Sequence, residues 1–123
     1  MRRTSDSGAV PQTQVHPIPP LFDAESRVLI LGSFPSVVSR AEGFYYAHKQ
    51  NRFWRVLAAV FDERVPETSD EKTALIRRHR LALWDVIGSC RIAGSSDSSV
   101  TDVIPNDLSV IFSAAPIERV LLN

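Results

Sequence analysis

Apolar residues fall along this chain in short blocks whose spacing changes from one block to the next. Val28-Leu29-Ile30-Leu31, closed by Gly32, is a continuous apolar run without in–out alternation, which predicts a strand buried on both faces. In NRFWRVLAAVFD, positions 51 to 62, Phe53, Trp54, Leu57, Val60 and Phe61 recur at helical spacing, with Arg52, Arg55 and Asp62 largely opposite. That block predicts an amphipathic helix with Asn51 as its N-cap. Thr68-Ser69-Asp70-Glu71 reads as a capping box that opens a second helix through KTALIRRHRLAL. Beyond it, LWDVI reads as a short strand and GSCRIAGSSDSSV as a Gly/Ser-rich loop. Asn106 is placed to cap a short helix through DLSVIFSAA that Pro116 ends, and ERVLLN reads as a last strand.

Strand and helix alternating in this order predict an α/β fold, a central parallel sheet flanked by helices and joined by right-handed crossovers. Residues 1 to 20 are different. They are polar and carry Pro11, Pro17, Pro19 and Pro20, so they are expected as a disordered or extended tail whose last part packs as an extended segment. The domain is then expected over 21 to 123. A central strand that reaches Asn123 without a following loop and helix raises the expectation of a domain truncated at its C-terminal side.

Composition narrows the partners. At 123 residues, 44% hydrophobic and 23% charged, the chain is one ordinary globular domain. Fourteen basic residues balance fourteen acidic ones, so a nucleic acid or a membrane would have to be met by a local patch. Cys90 is the single cysteine, which excludes an internal disulfide, and its reading is packing. No metal-ligand spacing is present, so neither metal nor cofactor is expected, and a reducing, cytoplasmic compartment is the expectation. Arg2 and Arg3 lead into no apolar stretch of the kind a signal peptide carries, and no run reaches membrane-span length, so no membrane partner is expected.

In open α/β sheets ligands bind beyond the carboxyl ends of the strands. The loop from Gly32, the Gly/Ser segment after Ile87 and the tip at Asn123 are therefore expected to converge on one crevice. The first loop, GSFPSVVSRAEGFYYAHKQNRFW, sets Phe44, Tyr45, Tyr46 and Phe53 beside Arg40, His48, Lys49, Arg52 and Arg55. Aromatic faces interleaved with cations are what base stacking and phosphate neutralisation require. Residue chemistry alone leaves a second reading open: a solvated helix face, core aromatics, and Asn51 as nothing more than a cap. GSFPS lacks the glycines and lysine of dinucleotide and P-loop cradles.

GSFPS, followed after eight residues by YYAHKQNRFW, resembles the uracil-DNA glycosylase superfamily, and within it the hypoxanthine-DNA (DNA-deoxyinosine) glycosylases, which carry GSFPS and YYAHPxNxFW. LWDVIGSCRIAGSSDSSV resembles that family's LWDVIGSCxRxGSxDSxI, and IPNDLSVIF its next segment, so the likeness runs over about residues 18 to 123. It implies a three-layer α/β/α fold and a monomeric, monofunctional glycosylase. Such an enzyme hydrolyses the N-glycosidic bond of hypoxanthine in deoxyinosine after flipping the base out of double-stranded DNA. The alternatives are a uracil or mismatch glycosylase of the same fold, whose members carry Asp or Asn where Phe34 stands, and a DNA-binding fragment without activity.

By this resemblance the placement of water passes to Asn51, and Tyr46 takes the place of the aromatic that stacks on the extruded base. Gly32, Ser33, Phe34, Pro35, Ser36, His48 and Asn123 are the remaining pocket candidates. Arg40, Lys49 and Arg52 are the DNA-contact candidates, and Ser89, Arg91, Ser95 and Asp97 the pocket-shaping candidates of the second motif. His48 is read either as a structural hydrogen-bonder or as a general acid, and Asp97 either as a base or as a turn residue. No lysine stands out as a Schiff-base nucleophile, so strand cleavage is not expected. Lys49 departs from the family's proline, which removes a rigid turn just before Asn51. The family continues past its final Asn, so this chain is expected to be the N-terminal two thirds of such an enzyme.

Overall fold

The structure is a computed structural model that describes residues 12–93 and 100–123. In chain order its elements are β1 (Gln12–Val15), β2 (Val28–Gly32), α1 (Val37–Glu42), α2 (Phe53–Val60) and α3 (Ser69–Arg78). β3 (Leu81–Asp85), β4 (Ile87–Ile92), β5 (Thr101–Pro105), α4 (Ser109–Phe112) and β6 (Arg119–Leu122) follow. The α/β class and the central parallel sheet are as expected from the sequence. β2 lies in the middle of that sheet, with β3 and β6 parallel on either side, in the order β3-β2-β6.

The continuous apolar runs explain the centre. Every residue of LALWD in β3 is buried, and Leu29 and Leu83 are fully enclosed with Leu75, Ile76 and Ile111. α3 opens on the capping box that the sequence signalled, Thr68 accepting from the Glu71 amide while Glu71 reaches back to the Thr68 amide. α1 is capped by Ser36, whose hydroxyl accepts from the Ser39 amide, and ends at Gly43 in the left-handed region at φ 72°.

A second sheet, β1-β4-β5, is antiparallel and was not read from the sequence. Two of its strands come from stretches whose composition hides them. Ile87–Ile92 is a strand and not the start of a loop, because Cys90 and Ile92 turn inward while Ser89 and Arg91 occupy the alternate positions. The described part of the expected tail also belongs to the fold. Gln12–Val15 pairs with β4, Ile18 is buried in the core, and Pro19 offers its carbonyl to the Tyr45 hydroxyl at 2.8 Å. Prolines hold this segment extended, and two inward side chains, His16 and Ile18, suffice to dock it.

Two caps differ from expectation. Arg52, not Asn51, is the N-cap residue of α2, although the Asn51 side-chain oxygen accepts from the Phe53 amide at 2.8 Å. Asn106 caps nothing: its amide group donates to the carbonyls of Asp85 (2.8 Å) and Ile87 (3.2 Å), pinning the turn between β3 and β4. α4 begins from Leu108 instead. Val60, expected on the buried face of α2, is 69% exposed. The reason is that Val56 and Val60 face the outer side of β6, the edge strand of the sheet, where Leu122 is 83% exposed. Together with Leu121 they line an apolar groove of about 480 Å³.

Away from these sheets, Glu63 receives both Arg78 and the His79 ring, and Phe61 stacks on His79 with centroids 3.7 Å apart. The Arg78 and His79 hydrogen bonds pull the Glu63 carboxyl down to about 2 from its ordinary 4.5. A depressed folded-state pKa contributes stability that is present above the unfolded value and is lost as pH falls toward the folded one. Melting temperature followed against pH is therefore expected to show Glu63→Gln below the parent at neutral pH, with the gap closing between about pH 5 and pH 2.

Candidate active site

The three parallel strands end together. Gly32 is in register with Asp85, and Asn123, just past β6, donates its amide to the Leu31 carbonyl at 2.8 Å. The GSFPS loop is tied to the β3–β4 turn by Val86 N–H to Gly32 O (2.9 Å) and Ile87 N–H to Ser33 O (3.0 Å). Beyond these tips lies a pocket of about 160 Å³ lined by Gly32, Ser33, Phe34, Pro35, Ser36, Ser39, Tyr45, Tyr46, Asn51, Asp85 and Asn123. The structure thus brings together all five residues of GSFPS with Tyr46, Asn51 and Asn123, which sequence placed in one crevice.

Gly32 is required by close approach. A Cβ on it would sit 2.4 Å from Asp85 Oδ1 and 3.2 Å from the Tyr46 hydroxyl. Tyr46 itself adopts φ 52°, an uncommon conformation for a bulky residue, and its ring stacks on Phe53 with centroids 4.0 Å apart. Its hydroxyl is buried and makes no well-formed hydrogen bond, with the Asn123 side chain approaching it. Burial raises the pKa of Tyr46, the nearby Asn123 side chain opposes that rise, and the charge of Asp85 adds to it. The neighbouring Tyr45 hydroxyl is also raised, chiefly by burial, then by Asp85 and by Tyr46. Both phenols stay protonated at neutral pH.

Asn51 is held in place despite Lys49. The Asn51 amide donates to the His48 carbonyl at 3.0 Å and the Gln50 amide to His48 Nδ1 at 3.1 Å, closing the turn that a proline would have stiffened. His48 therefore acts as a turn organiser. It is exposed, and it lines an adjoining groove of about 460 Å³ with Phe34 and Arg40 in place of the base pocket expected from sequence. The Asn51 oxygen uses one lone pair on Phe53, leaving a second lone pair and two N–H donors with which a carboxamide can grip a water.

Of the expected DNA-contact residues, Lys49 and Arg52 are exposed beside Asn51, whereas Arg40 is partly committed to the loop. Its guanidinium donates to the Pro35 carbonyl at 2.9 Å and lies over the Phe34 ring. Ser89 and Arg91 do not reach the pocket: they stand on β4, where Ser89 pairs with Val15 and Arg91 lies 3.9 Å from Asp102. Ser95 and Asp97 lie outside the described residues. No group of His, Cys, Asp and Glu among the described residues is arranged to hold a metal.

Sequence reasoning missed Asp85 and His16. Asp85 ends β3, is 3% exposed, and its Oδ2 receives His16 Nε2 at 2.7 Å. An acidic residue closing an apolar strand, level with the glycine of the first loop, was the available signal for Asp85. Nothing in the polar N-terminal stretch marked His16.

A parallel sheet with a carboxamide and stacked aromatics at its strand tips defines a class that the comparisons identify. The Uracil DNA glycosylase superfamily model matches residues 19–111, and the chain belongs to that superfamily of base-excising hydrolases. Within it, the chain is similar to two proteins named Hypoxanthine DNA glycosylase. The one from Methanosarcina barkeri is 33% identical over 107 residues, covering 85% of this chain and 68% of the relative. That from Methanosarcina acetivorans is 34% identical over 104 residues, covering 84% of this chain and 66% of the relative. The chain thus spans about two thirds of their length. A solution NMR structure of a candidate uracil DNA glycosylase from Methanosarcina acetivorans superposes with a TM-score of 0.77 at 30% identity, over 86% of this chain and 67% of that one.

Proposed function

We propose that this protein is a monofunctional DNA glycosylase that removes hypoxanthine from deoxyinosine in double-stranded DNA. The observation that carries this reading is Asn51, a side-chain amide brought to the pocket beside Tyr46 while position 34 holds a phenyl ring and no carboxylate. Two relatives named for hypoxanthine excision support the substrate.

The residues divide the work as follows. Base flipping is obligatory, because the glycosidic carbon is out of reach inside a duplex, and a weakly paired deaminated base is the least costly to extrude. Tyr46 and Phe34 offer aromatic walls to receive it. Asn51 holds a water against the sugar but cannot take its proton at neutral pH. Purine departure develops oxocarbenium character, so positioned water and hydrogen bonds to the leaving base supply most of the barrier reduction. Lys49, Arg52 and Arg55 are exposed on the segment that carries Asn51 and are available to neutralise phosphates.

The similarity to a candidate uracil DNA glycosylase favours one second reading, uracil excision on the same site. Duplexes carrying a single deoxyinosine or deoxyuridine, incubated with the protein and cleaved at abasic sites by alkali, separate the two. Cleavage at deoxyinosine is the expected result, and cleavage confined to deoxyuridine would overturn the preferred substrate.

A further inference from the structure

We infer that the groove between the Asn51 loop and the first turn of α3 seats the phosphodiester backbone of the DNA strand from which the base is flipped, with Lys72 as its fixed cation. This rests on the glycosylase reading above and deepens it.

The groove has a volume of about 580 Å³ and adjoins the base pocket, with which it shares Tyr46 and Asn51. Topology brings Lys72 to this end of the molecule. α3 stops at Arg78, the chain reverses at Arg80 in the left-handed region (φ 57°), and β3 runs back from Leu81. α3 therefore runs opposite to β3, and its first turn lies at the end of the sheet where Gly32 and Asp85 stand in register.

Positive charge is in excess there. Lys49 and Lys72 are the only lysines of the chain, and both line this groove together with Arg55. None of the three has an ion-pair partner among the described residues. Glu42 and Glu67 also line it, which leaves the cations ahead of the carboxylates. Lys49 stands where the hypoxanthine-DNA glycosylase motif carries proline, so its charge belongs to this chain and not to the shared motif.

Lys72 is held without being neutralised. Its side chain is half-buried, and Nζ lies 5.5 Å from the centroid of the Trp54 ring and 5.9 Å from that of Phe44. An aromatic face attracts a cation through its quadrupole and carries no net charge, so the ammonium keeps its full charge for a ligand. A carboxylate partner would have cancelled it. Restraining the side chain in advance also removes part of the rotamer entropy that a phosphate contact would otherwise cost.

The same device recurs on the other side of the pocket. There the Arg40 guanidinium lies 5.4 Å from the Phe34 ring centroid, in the groove of about 460 Å³ beside GSFPS. One groove adjoins the base pocket through Phe34 and the other through Tyr46, and His48 lines both. A strand that continues on either side of an extruded nucleotide needs two such seats. Phosphate contacts fix register without reading sequence, and here they would hold the sugar of the flipped nucleotide against Asn51.

The test is a fluorescence-anisotropy titration of the protein with a duplex holding one deoxyinosine, repeated over a series of salt concentrations. Lys72→Ala is expected to weaken binding by about 3 to 10-fold at moderate salt and to lower the slope of log K against log salt by about 1. Lys72→Arg, which keeps the charge and the ring contact, is expected to stay near the parent. Arg77→Ala removes the same charge from the last turn of the same helix and is expected to leave the slope as it was. An unchanged slope in Lys72→Ala, or an equal fall in Arg77→Ala, would overturn the inference, since a merely structural loss does not alter the number of counterions released. Should Lys72→Ala fail to fold, reductive methylation of the unaltered protein, read by peptide mass spectrometry, decides. Bound duplex is expected to protect Lys49 and Lys72, and undiminished labelling of Lys72 rejects the seat. The two readings fail separately. A lowered slope in Lys72→Ala of a protein that releases neither hypoxanthine nor uracil would keep the seat and reject the glycosylase, whereas hypoxanthine release with an unchanged slope would reject the seat alone.

Discussion

Asn51→Ala is expected to lower the single-turnover rate of hypoxanthine release by about 10² to 10³-fold while leaving salt-dependent DNA binding nearly unchanged. The expectation follows from what the side chain touches. Its oxygen is anchored by the Phe53 amide, so the carboxamide is fixed at the pocket wall, and its remaining donors and acceptor are the groups able to orient water there. The cations available for phosphate contact, Lys49, Arg52 and Arg55, are exposed and independent of it. Losing the bond to Phe53 should cost about 1 kcal/mol of stability, too little to account for the loss of rate. Excision under single-turnover conditions, a filter-binding titration at two salt concentrations and a melting curve separate these effects. Equal rates in variant and parent would remove Asn51 from the mechanism.

Gly32→Ala is expected to damage both fold and function. The new methyl would stand 2.4 Å from Asp85 Oδ1 and 3.2 Å from the Tyr46 hydroxyl. Neither neighbour can easily withdraw, since Asp85 is held by His16 and Tyr46 by its stack on Phe53. Overpacking of this kind costs about 1–3 kcal/mol, and here the strain falls directly on two pocket groups. A lowered melting temperature together with excision reduced by at least about 10²-fold is the expected outcome. Wild-type activity in this variant would show that the site does not need the close approach over Gly32.

Much of this architecture could be read in advance wherever periodicity and burial coincide. Val28 to Leu31 declared a two-sided strand because Leu29, Ile30 and Leu31 are all enclosed, and the capping box at Thr68 was legible because its two hydrogen bonds are local in sequence. The strand tips followed from topology, which is why the loop at Gly32 and the tip at Asn123 could be gathered into one crevice from sequence, whereas Asn51 came from the resemblance of its motif. What failed to show was non-local. The segment 87–92 looks like a loop by composition and becomes a strand only because β1 and β5 flank it. Asn106 has the residue type of a cap and is used instead to bind two carbonyls across a turn. Asp85 was quoted within a motif without a role, because the role depends on a histidine that no local pattern connects to it.

The docking of His16 onto Asp85 has a consequence for the order in which the molecule assembles. Their contact closes a loop of 69 residues, whereas the β3–β4 turn and the helix caps join residues close in the chain. Long closures lose the most chain entropy before they return any contact energy, so they tend to form late. Pairing β2 with β6 joins Val28 to Arg119 across a still longer stretch, so the third strand of the sheet and the pocket are late events alike, and the carboxylate acquires its orientation only when the N-terminal segment is laid down across β4. Cutting the chain at residue 21, where composition alone would draw the domain boundary, would take away the ring that holds Asp85 and leave the pocket wall without its hinge pin.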